Sequence, residues 1–465
     1  LNGLGKDAAK IISRINGFTY VQTEYDYYTG ELKEVQTLEP GETLQIAADS
    51  TLFETANRIY ARPQALSAKT TVDSILRNGK TPVYPGNFEI EKTGEGFLLI
   101  NELALEDYLR FVVPSEMPAS YPAEALKAQA VCARTYAYMH MLHAGLQNYG
   151  AHVDDSAAFQ VYNNIAEASE TSEAVYETKG QMLLSGGTPV TAYFYSTSCG
   201  YGTDLTAWNL TYGDEMAATG GYLRARNIAK GQMLSDTQNP DAHSSDAQES
   251  AEGSKLAEED SFATFIKTAD ADSFEQEDTY YRWRYDTALD TELLLANLQV
   301  RYEKSPGNIR RKKGNGYVDE KPEKLGMVTG LTAVKRTTGG VMTELLIEGT
   351  EDTYRVCGEQ NIRYVLAGEN TEIALSADYS KKGTINGMLP SSFFVIEPVY
   401  ETDDGISTEK AKEAPVVISY TLYGGGFGHG IGMSQNAARR MAQAGYDYKQ
   451  ILQFFYECSI EGVNE

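Results

Sequence analysis

Pro122-Ala-Glu-Ala-Leu-Lys-Ala-Gln-Ala-Val-Cys-Ala-Arg-Thr-Tyr-Ala-Tyr-Met139 is the stretch that decides the fold. Alanine and leucine give it the highest helix propensity in the chain, Ser120 is placed to cap it, and Pro122 suits its first turn. Ala125, Leu126, Gln129, Ala130, Ala133 and Ala137 fall on one face. A face built of such small side chains predicts very close packing by another element. Arg134 interrupts this face, and its natural reading is a buried structural partner.

Outward from that helix the texture is mixed. Phe18–Tyr25 alternates and is rich in aromatic and β-branched residues, Tyr28-Thr-Gly30 reads as a turn, and a short helical stretch is expected near Leu52 to Ile59. Residues 1–79 therefore read as a small β-rich lead-in. From Lys80 onward Pro82, Pro85 and Gly86 punctuate the chain, and Phe97-Leu-Leu-Ile100 reads as a strand. A second helix is expected to end at Gly180, followed by a hairpin turning at Gly186-Gly187. Residues 232–262 are polar and acidic and predict a mobile surface insertion. Arg310-Arg-Lys-Lys313 lies between glycines and predicts an exposed loop tip, and residues 326–400 alternate as a β-subdomain. Two helices close the chain, one over Ser434–Ala444 stopped by Gly445, and one starting near Asp447 that buries Ile451, Leu452, Phe454 and Phe455. The expected class is α+β: a catalytic core of helices packed on β-sheet over 80–465, with the β-rich subdomain and lead-in attached.

The 465 residues carry a net charge of −25, which argues against nucleic acid or an anionic membrane surface as the main partner. No apolar run approaches the length of a bilayer span. The chain opens at Leu1, so either a leader or anchor was removed or the chain was trimmed, and a secreted or membrane-anchored full-length protein is expected. Tyrosine is abundant at 32, against two tryptophans. Cys132, Cys199, Cys357 and Cys458 are scattered without metal-binding spacing; free thiols or one or two disulfides are both open.

Three segments carry chemistry. In Val112-Val-Pro-Ser-Glu-Met-Pro118 a carboxylate sits among apolar and rigid neighbours. Such a setting raises a carboxyl pKa and suits Glu116 to general acid work. Ser196-Thr-Ser-Cys-Gly-Tyr-Gly202 ends an alternating strand in small hydroxyl residues, although G-x-S-x-G is absent. Gly424-Gly-Gly-Phe-Gly-His-Gly-Ile-Gly-Met-Ser-Gln435 lacks the lysine of a phosphate loop. Its glycines are expected to let a bulky sugar approach the backbone, with His429 hydrogen-bonding it.

Together these segments, with Leu105-Glu-Asp-Tyr-Leu-Arg-Phe111 before the first, resemble the stage II sporulation protein D family, which includes amidase enhancers. Weaker echoes are Gln160-Val-Tyr, Gly358-Glu-Gln-Asn-Ile-Arg363 and Ser391-Ser-Phe-Phe. The resemblance runs from about residue 80 to the C-terminus. It implies an extracytoplasmic lytic transglycosylase of cell wall or septum that cleaves denuded peptidoglycan glycan strands. It further implies Glu116 as acid/base and an amidase or septal membrane complex as partner. Where the family carries glycine and alanine, this chain has Cys199 and Cys132. Some relatives carry cysteine and histidine ligands before the Gln-x-Tyr motif; His152-Val-Asp-Asp-Ser-Ala-Ala-Phe-Gln160 lacks them, so no metal and no cofactor are expected. Ser196, Ser198, Tyr201, His429 and Gln435 are assigned to substrate binding. A hydrolase would need a second carboxylate about 5–9.5 Å from the first, for which Asp154 and Asp155 are the candidates. The alternative reading is a non-catalytic glycan-binding enhancer of a cell-wall amidase.

Overall fold

A computed structural model describes residues 2–5, 19–25, 32–38, 41–47, 49–53, 58–63, 69–77, 79–94, 96–143, 146–156, 159–163, 167–208, 221–230, 253–268, 272–400 and 417–462. The fold is α+β and divides into two units, Leu1–Ala192 with Ser459–Glu465, and Tyr193–Cys458.

In the first unit, six antiparallel strands run in the spatial order Asn2–Gly5, Gly96–Glu102, Asn87–Lys92, Arg58–Pro63, Thr19–Tyr25, Leu32–Leu38. The lead-in and the segment beyond Lys80 thus share one sheet, because Arg58–Pro63 pairs with Asn87–Lys92. Alternation places Phe88, Ile90, Phe97 and Leu99 in a core that also takes Leu109, Phe111, Val112 and Val113. Those last four belong to helix α1 (Leu105–Glu116). The Val112–Pro118 motif is therefore largely helical rather than a loop. Pro114 lies in the last turn, where its missing N–H forfeits a single bond, and Met117 is already extended. At the hairpin after Gln181–Ser185, Gly186 and Gly187 both have positive φ, as such a two-residue turn requires. Of the expected helical stretch Leu52–Ile59, residues 54–57 lie outside the described residues; Thr51–Phe53 is a single 3-10 turn and a strand begins at Arg58.

Helix α2 (Ala123–His143) begins after Pro122, whose carbonyl accepts from Ala125 and Leu126, so Ser120 lies outside the cap position. From Ala128 to Ala137 every residue is buried, all round the helix rather than along one stripe. The small side chains allow α1, α3 (Ser169–Glu177) and the strand Gln181–Ser185 to close on it together. Arg134 sits wholly inside. Its guanidinium donates to both oxygens of Glu106 at 2.7 and 2.9 Å and to the carbonyls of Val175 (3.1 Å) and Gln181 (3.3 Å). It thereby ties α1, α3 and the strand to one point.

In the second unit, one five-stranded sheet runs Lys381–Ile385, Thr371–Leu375, Trp283–Thr287, Val417–Gly424, Phe394–Tyr400. The other runs Gly316–Val318, Ile309–Lys313, Thr353–Cys357, Met342–Gly349, Val328–Arg336. The strands within 326–400 are shared between these two sheets; strands on either side in sequence complete the first, and two earlier strands complete the second. Arg310–Lys313 lies in a strand, not at a loop tip; Arg311 pairs with Glu320 and Asp352, and Lys313 with Glu320. Of the acidic stretch 232–262, residues 232–252 lie outside the described residues. Residues 253–262 are ordered, with Leu256 and Phe262 buried, and lead into α4 (Glu259–Lys267). Helices α5 (Thr291–Lys304) and α6 (Glu359–Val365) cover the sheets around a core of Trp283, Leu298, Leu345 and Tyr354. Helices α7 (Gln435–Gln443) and α8 (Tyr448–Phe455) start at side-chain caps from Ser434 and Asp447. Gly445, at φ 96°, stops α7, and α8 buries the four expected apolar residues. None of the four cysteines is in a disulfide.

Replacing Arg134 with methionine leaves a partly buried Glu106 carboxylate and two carbonyls without their donor. Urea unfolding is expected to show a loss of about 3–5 kcal/mol, with an unchanged m-value.

Candidate functional site

In the first unit, chemistry gathers at the C-terminal end of α1. Leu109, Phe111, Val112 and Val113 turn into the core, which leaves the half-buried Glu116 beside the segment 160–163. Val161 N–H donates to Glu116 Oε1 at 2.6 Å, and Asn163 N–H donates to Ser115 Oγ at 3.2 Å. Two backbone donors thus strap Gln160-Val-Tyr-Asn163 over the helix end and fix the carboxylate's direction. The strap is held in turn by its own side chains. Gln160 is buried; its amide donates to the Ala133 carbonyl (3.3 Å) and its carbonyl oxygen accepts from Tyr108 (3.4 Å). Tyr162 stacks on Tyr108 at 5.4 Å and donates to Asn101 (3.2 Å). Burial, then the charge of Glu116 and to a lesser extent Asp154, push the Tyr108 phenol upward, so it stays protonated. Asp155 is occupied by Arg77, and Asp154 accepts from the Ser156 N–H and hydroxyl within a local turn. The valines and the methionine that flank Glu116 in sequence belong to the core, whereas its carboxylate meets a backbone amide from another segment. Tyr108, Gln160 and Tyr162 were missed as functional residues; the Gln-x-Tyr spacing alone signalled two of them.

In the second unit, Phe194–Tyr195 pairs in parallel with Met433–Ser434, and Thr197 bridges Phe427. The serine-rich strand end and the glycine-rich run therefore meet as neighbours. Ser196, half-buried, accepts Asn436 N–H on its carbonyl at 3.0 Å. Ser198 is buried, and both its backbone N–H (3.0 Å) and its hydroxyl donate to Glu275. Ser434, the cap of α7, donates to the same carboxylate at 2.7 Å. Tyr201 is buried beside Phe265, and Gln435 is almost buried as the first residue of α7. Cys199 is buried too, and burial pushes its thiol up to about 11, which makes it inert at neutral pH.

The glycines of the run do not hold space open for a ligand. A Cβ at Gly432 would strike the Tyr193 carbonyl, and one at Gly428 would strike Tyr195. They admit the protein's own backbone and rings instead. His429 is half-buried among Tyr193, Tyr195 and Trp208, with ring centroids 6.4, 5.7 and 4.9 Å away. Its Nδ1 accepts Ile431 N–H at 3.1 Å, and the ring also hydrogen-bonds the Phe194 backbone. Burial, with the Arg363 charge, pushes it down to about 3, so the imidazole is neutral across the physiological range. It is a positioned ring, not an acid. Glu275 was invisible in sequence, because nothing separates it from the acidic residues around it in Ser273-Phe-Glu-Gln-Glu-Asp278.

The family described as stage II sporulation protein (SpoIID) matches residues 93–184, the region that holds Glu116 and its strap. A domain of unknown function matches residues 222–432, and a family described as GGGtGRT protein matches residues 1–48. The chain is similar to the amidase enhancer of Bacillus subtilis (strain 168), 26% identical over 406 residues, 86% of this chain and 46% of the relative. Stage II sporulation protein D of the same organism is 37% identical over 123 residues, 23% of this chain and 36% of the relative. An uncharacterised Brachyspira hyodysenteriae protein is 36% identical over 135 residues, 29% of this chain and 36% of the relative. The chain thus spans less than half the length of each of these relatives.

Burial raises the Glu275 carboxyl from 4.5 to about 7 against the opposing hydrogen bonds of Ser198 and Ser434. The folded state therefore holds this proton after the unfolded chain has released it. Its contribution is largest below pH 4.5 and is lost as pH rises to about 7. Glu275→Gln is expected to flatten that decline: its urea midpoint relative to the parent should rise between pH 4.5 and 7.5.

Proposed function

We propose that this chain, which belongs to the stage II sporulation protein D and amidase-enhancer family, is a peptidoglycan lytic transglycosylase with Glu116 as its acid/base. The observation that carries this reading is the fixed carboxylate: Glu116 is half-buried at the end of α1 and aimed by the Val161 N–H. It also lies in the segment that matches the sporulation protein family.

The reaction needs one carboxyl group. Protonated Glu116 gives its proton to the glycosidic oxygen as the bond to C1 breaks, and the substrate's N-acetyl carbonyl supports the developing positive charge at C1. The carboxylate then takes the proton of the C6 hydroxyl, whose oxygen attacks C1 to close a 1,6-anhydro ring. No water is consumed, and Glu116 ends protonated as it began. The ion pair between Asp155 and Arg77, and the turn that holds Asp154, favour this route over a two-carboxylate hydrolysis. Ser196, His429 and Gln435 are assigned to contacts with the glycan, and buried Ser198 and Tyr201 to the shape of the segment behind them. Acting on peptidoglycan places the protein outside the membrane, in keeping with its net charge of −25. Among the described residues no helix is long and apolar enough to cross a bilayer.

A second reading is favoured by the relative named amidase enhancer, which aligns over 86% of this chain: the protein holds glycan and stimulates a partner amidase. Mass spectrometry of denuded glycan strands incubated with the protein alone separates the two. Release of 1,6-anhydro ends is expected, reduced about 10²–10⁴-fold in Glu116→Gln. Full release by that variant, or none by the parent, overturns the enzyme reading.

A further inference from the structure

Tyr193, Trp208 and His429 form a half-buried aromatic group at the point where the serine-rich strand end meets the glycine-rich run. The three rings do not stack. Tyr193 meets Trp208 at 4.8 Å and 78°, Trp208 meets His429 at 4.9 Å and 56°, and Tyr193 meets His429 at 6.4 Å and 81°. They form a corner in which no ring lies flat on another.

The rings of Trp208 and His429 are also held. The Trp208 indole N–H donates to Glu359 Oε1 at 3.4 Å. Glu359 is itself buried and paired at 3.3 Å with Arg363, which is buried as well. Arg363 is anchored by donating to the carbonyls of Leu389 and Pro390, both at 3.0 Å. His429 is fixed through Nδ1 by Ile431 N–H. A buried ion pair is an expensive support for a partly exposed indole unless the ring's direction matters. Gly358-Glu-Gln-Asn-Ile-Arg363 otherwise has no place in the proposed chemistry, and this support accounts for it. Trp208 also differs from the chain's other tryptophan: Trp283 is fully buried in the core, as tryptophans that only stabilise are.

We infer that Trp208, flanked by Tyr193 and His429 and oriented by Glu359, is a stacking subsite for one N-acetylhexosamine ring of a glycan. A pyranose offers a flat apolar C–H face to an indole and hydroxyls at its rim. The neutral imidazole adds a second aromatic wall with no charge to desolvate. The assignment rests on the glycan-binding reading and deepens it.

The two tryptophans make the test direct. Titrating the whole protein with the N-acetylglucosamine tetramer should shift tryptophan emission saturably. Trp208→Phe should abolish that shift while still binding the tetramer in calorimetry, because buried Trp283 does not respond. Trp208→Ala should weaken the calorimetric affinity by about tenfold. If Trp208→Ala does not fold, by near-ultraviolet circular dichroism, the Trp208→Phe titration decides alone. A persisting spectral response in Trp208→Phe, or parental affinity in Trp208→Ala, overturns the subsite and leaves the glycan reading standing. Absence of binding heat from the parent with both tetramer and denuded strands overturns both.

Discussion

Glu275, a carboxylate without exposure to water, fixes the second unit's candidate site. It receives the Ser198 N–H and hydroxyl from 77 residues upstream and the Ser434 hydroxyl from 159 residues downstream. Burying such a group is unfavourable unless its lone pairs are filled, and here the strand end and the start of α7 fill them. The parallel pairing of Phe194–Tyr195 with Met433–Ser434, the Thr197–Phe427 bridge and the aromatic corner all hang from that junction. The first unit uses the same device with a donor in place of an acceptor: Arg134, buried, draws in Glu106 and the carbonyls around α2. In both places a buried ionisable group enclosed by several chain segments specifies their arrangement more sharply than apolar packing, which tolerates sliding.

Local signals in the sequence were the ones that survived folding. The alanine-rich helix, the Gly186-Gly187 hairpin and the two capped C-terminal helices follow from propensity, turn chemistry and capping, each written within a few residues. What local reading misjudged was which neighbours in sequence remain neighbours in space. Val112, Val113 and Met117 flank Glu116 along the chain, yet α1 rotates the valines into the core and gives the carboxylate an amide from residue 161. Arg310–Lys313 looked like a loop tip because its acidic partners, Glu320 and Asp352, lie in other segments.

The functional assignments divide the same way. Glu116, the proposed acid/base, stands in a motif visible along the chain, whereas Gln160 and Tyr162 of the strap meet Tyr108 of α1 only in the fold. Ser198 looked like a ligand-facing hydroxyl and proves to be an anchor for a buried acid. Trp208 carried a faint signal, its rarity in a chain with 32 tyrosines, but its tie to Glu359 spans 151 residues and no local pattern encodes it.

The strand Ser459–Gly462 lies against Gln181–Ser185, with Ser459 Oγ reaching the Leu184 carbonyl from 275 residues away. During synthesis the earlier strand emerges long before its neighbour exists. The nascent first unit must therefore wait with one flank of that small sheet unzipped while the whole second unit is being made. The entropic cost of closing so long a loop grows only logarithmically with its length. The burden falls on timing, as an open edge is exposed to wrong partners for as long as translation of the middle of the chain takes.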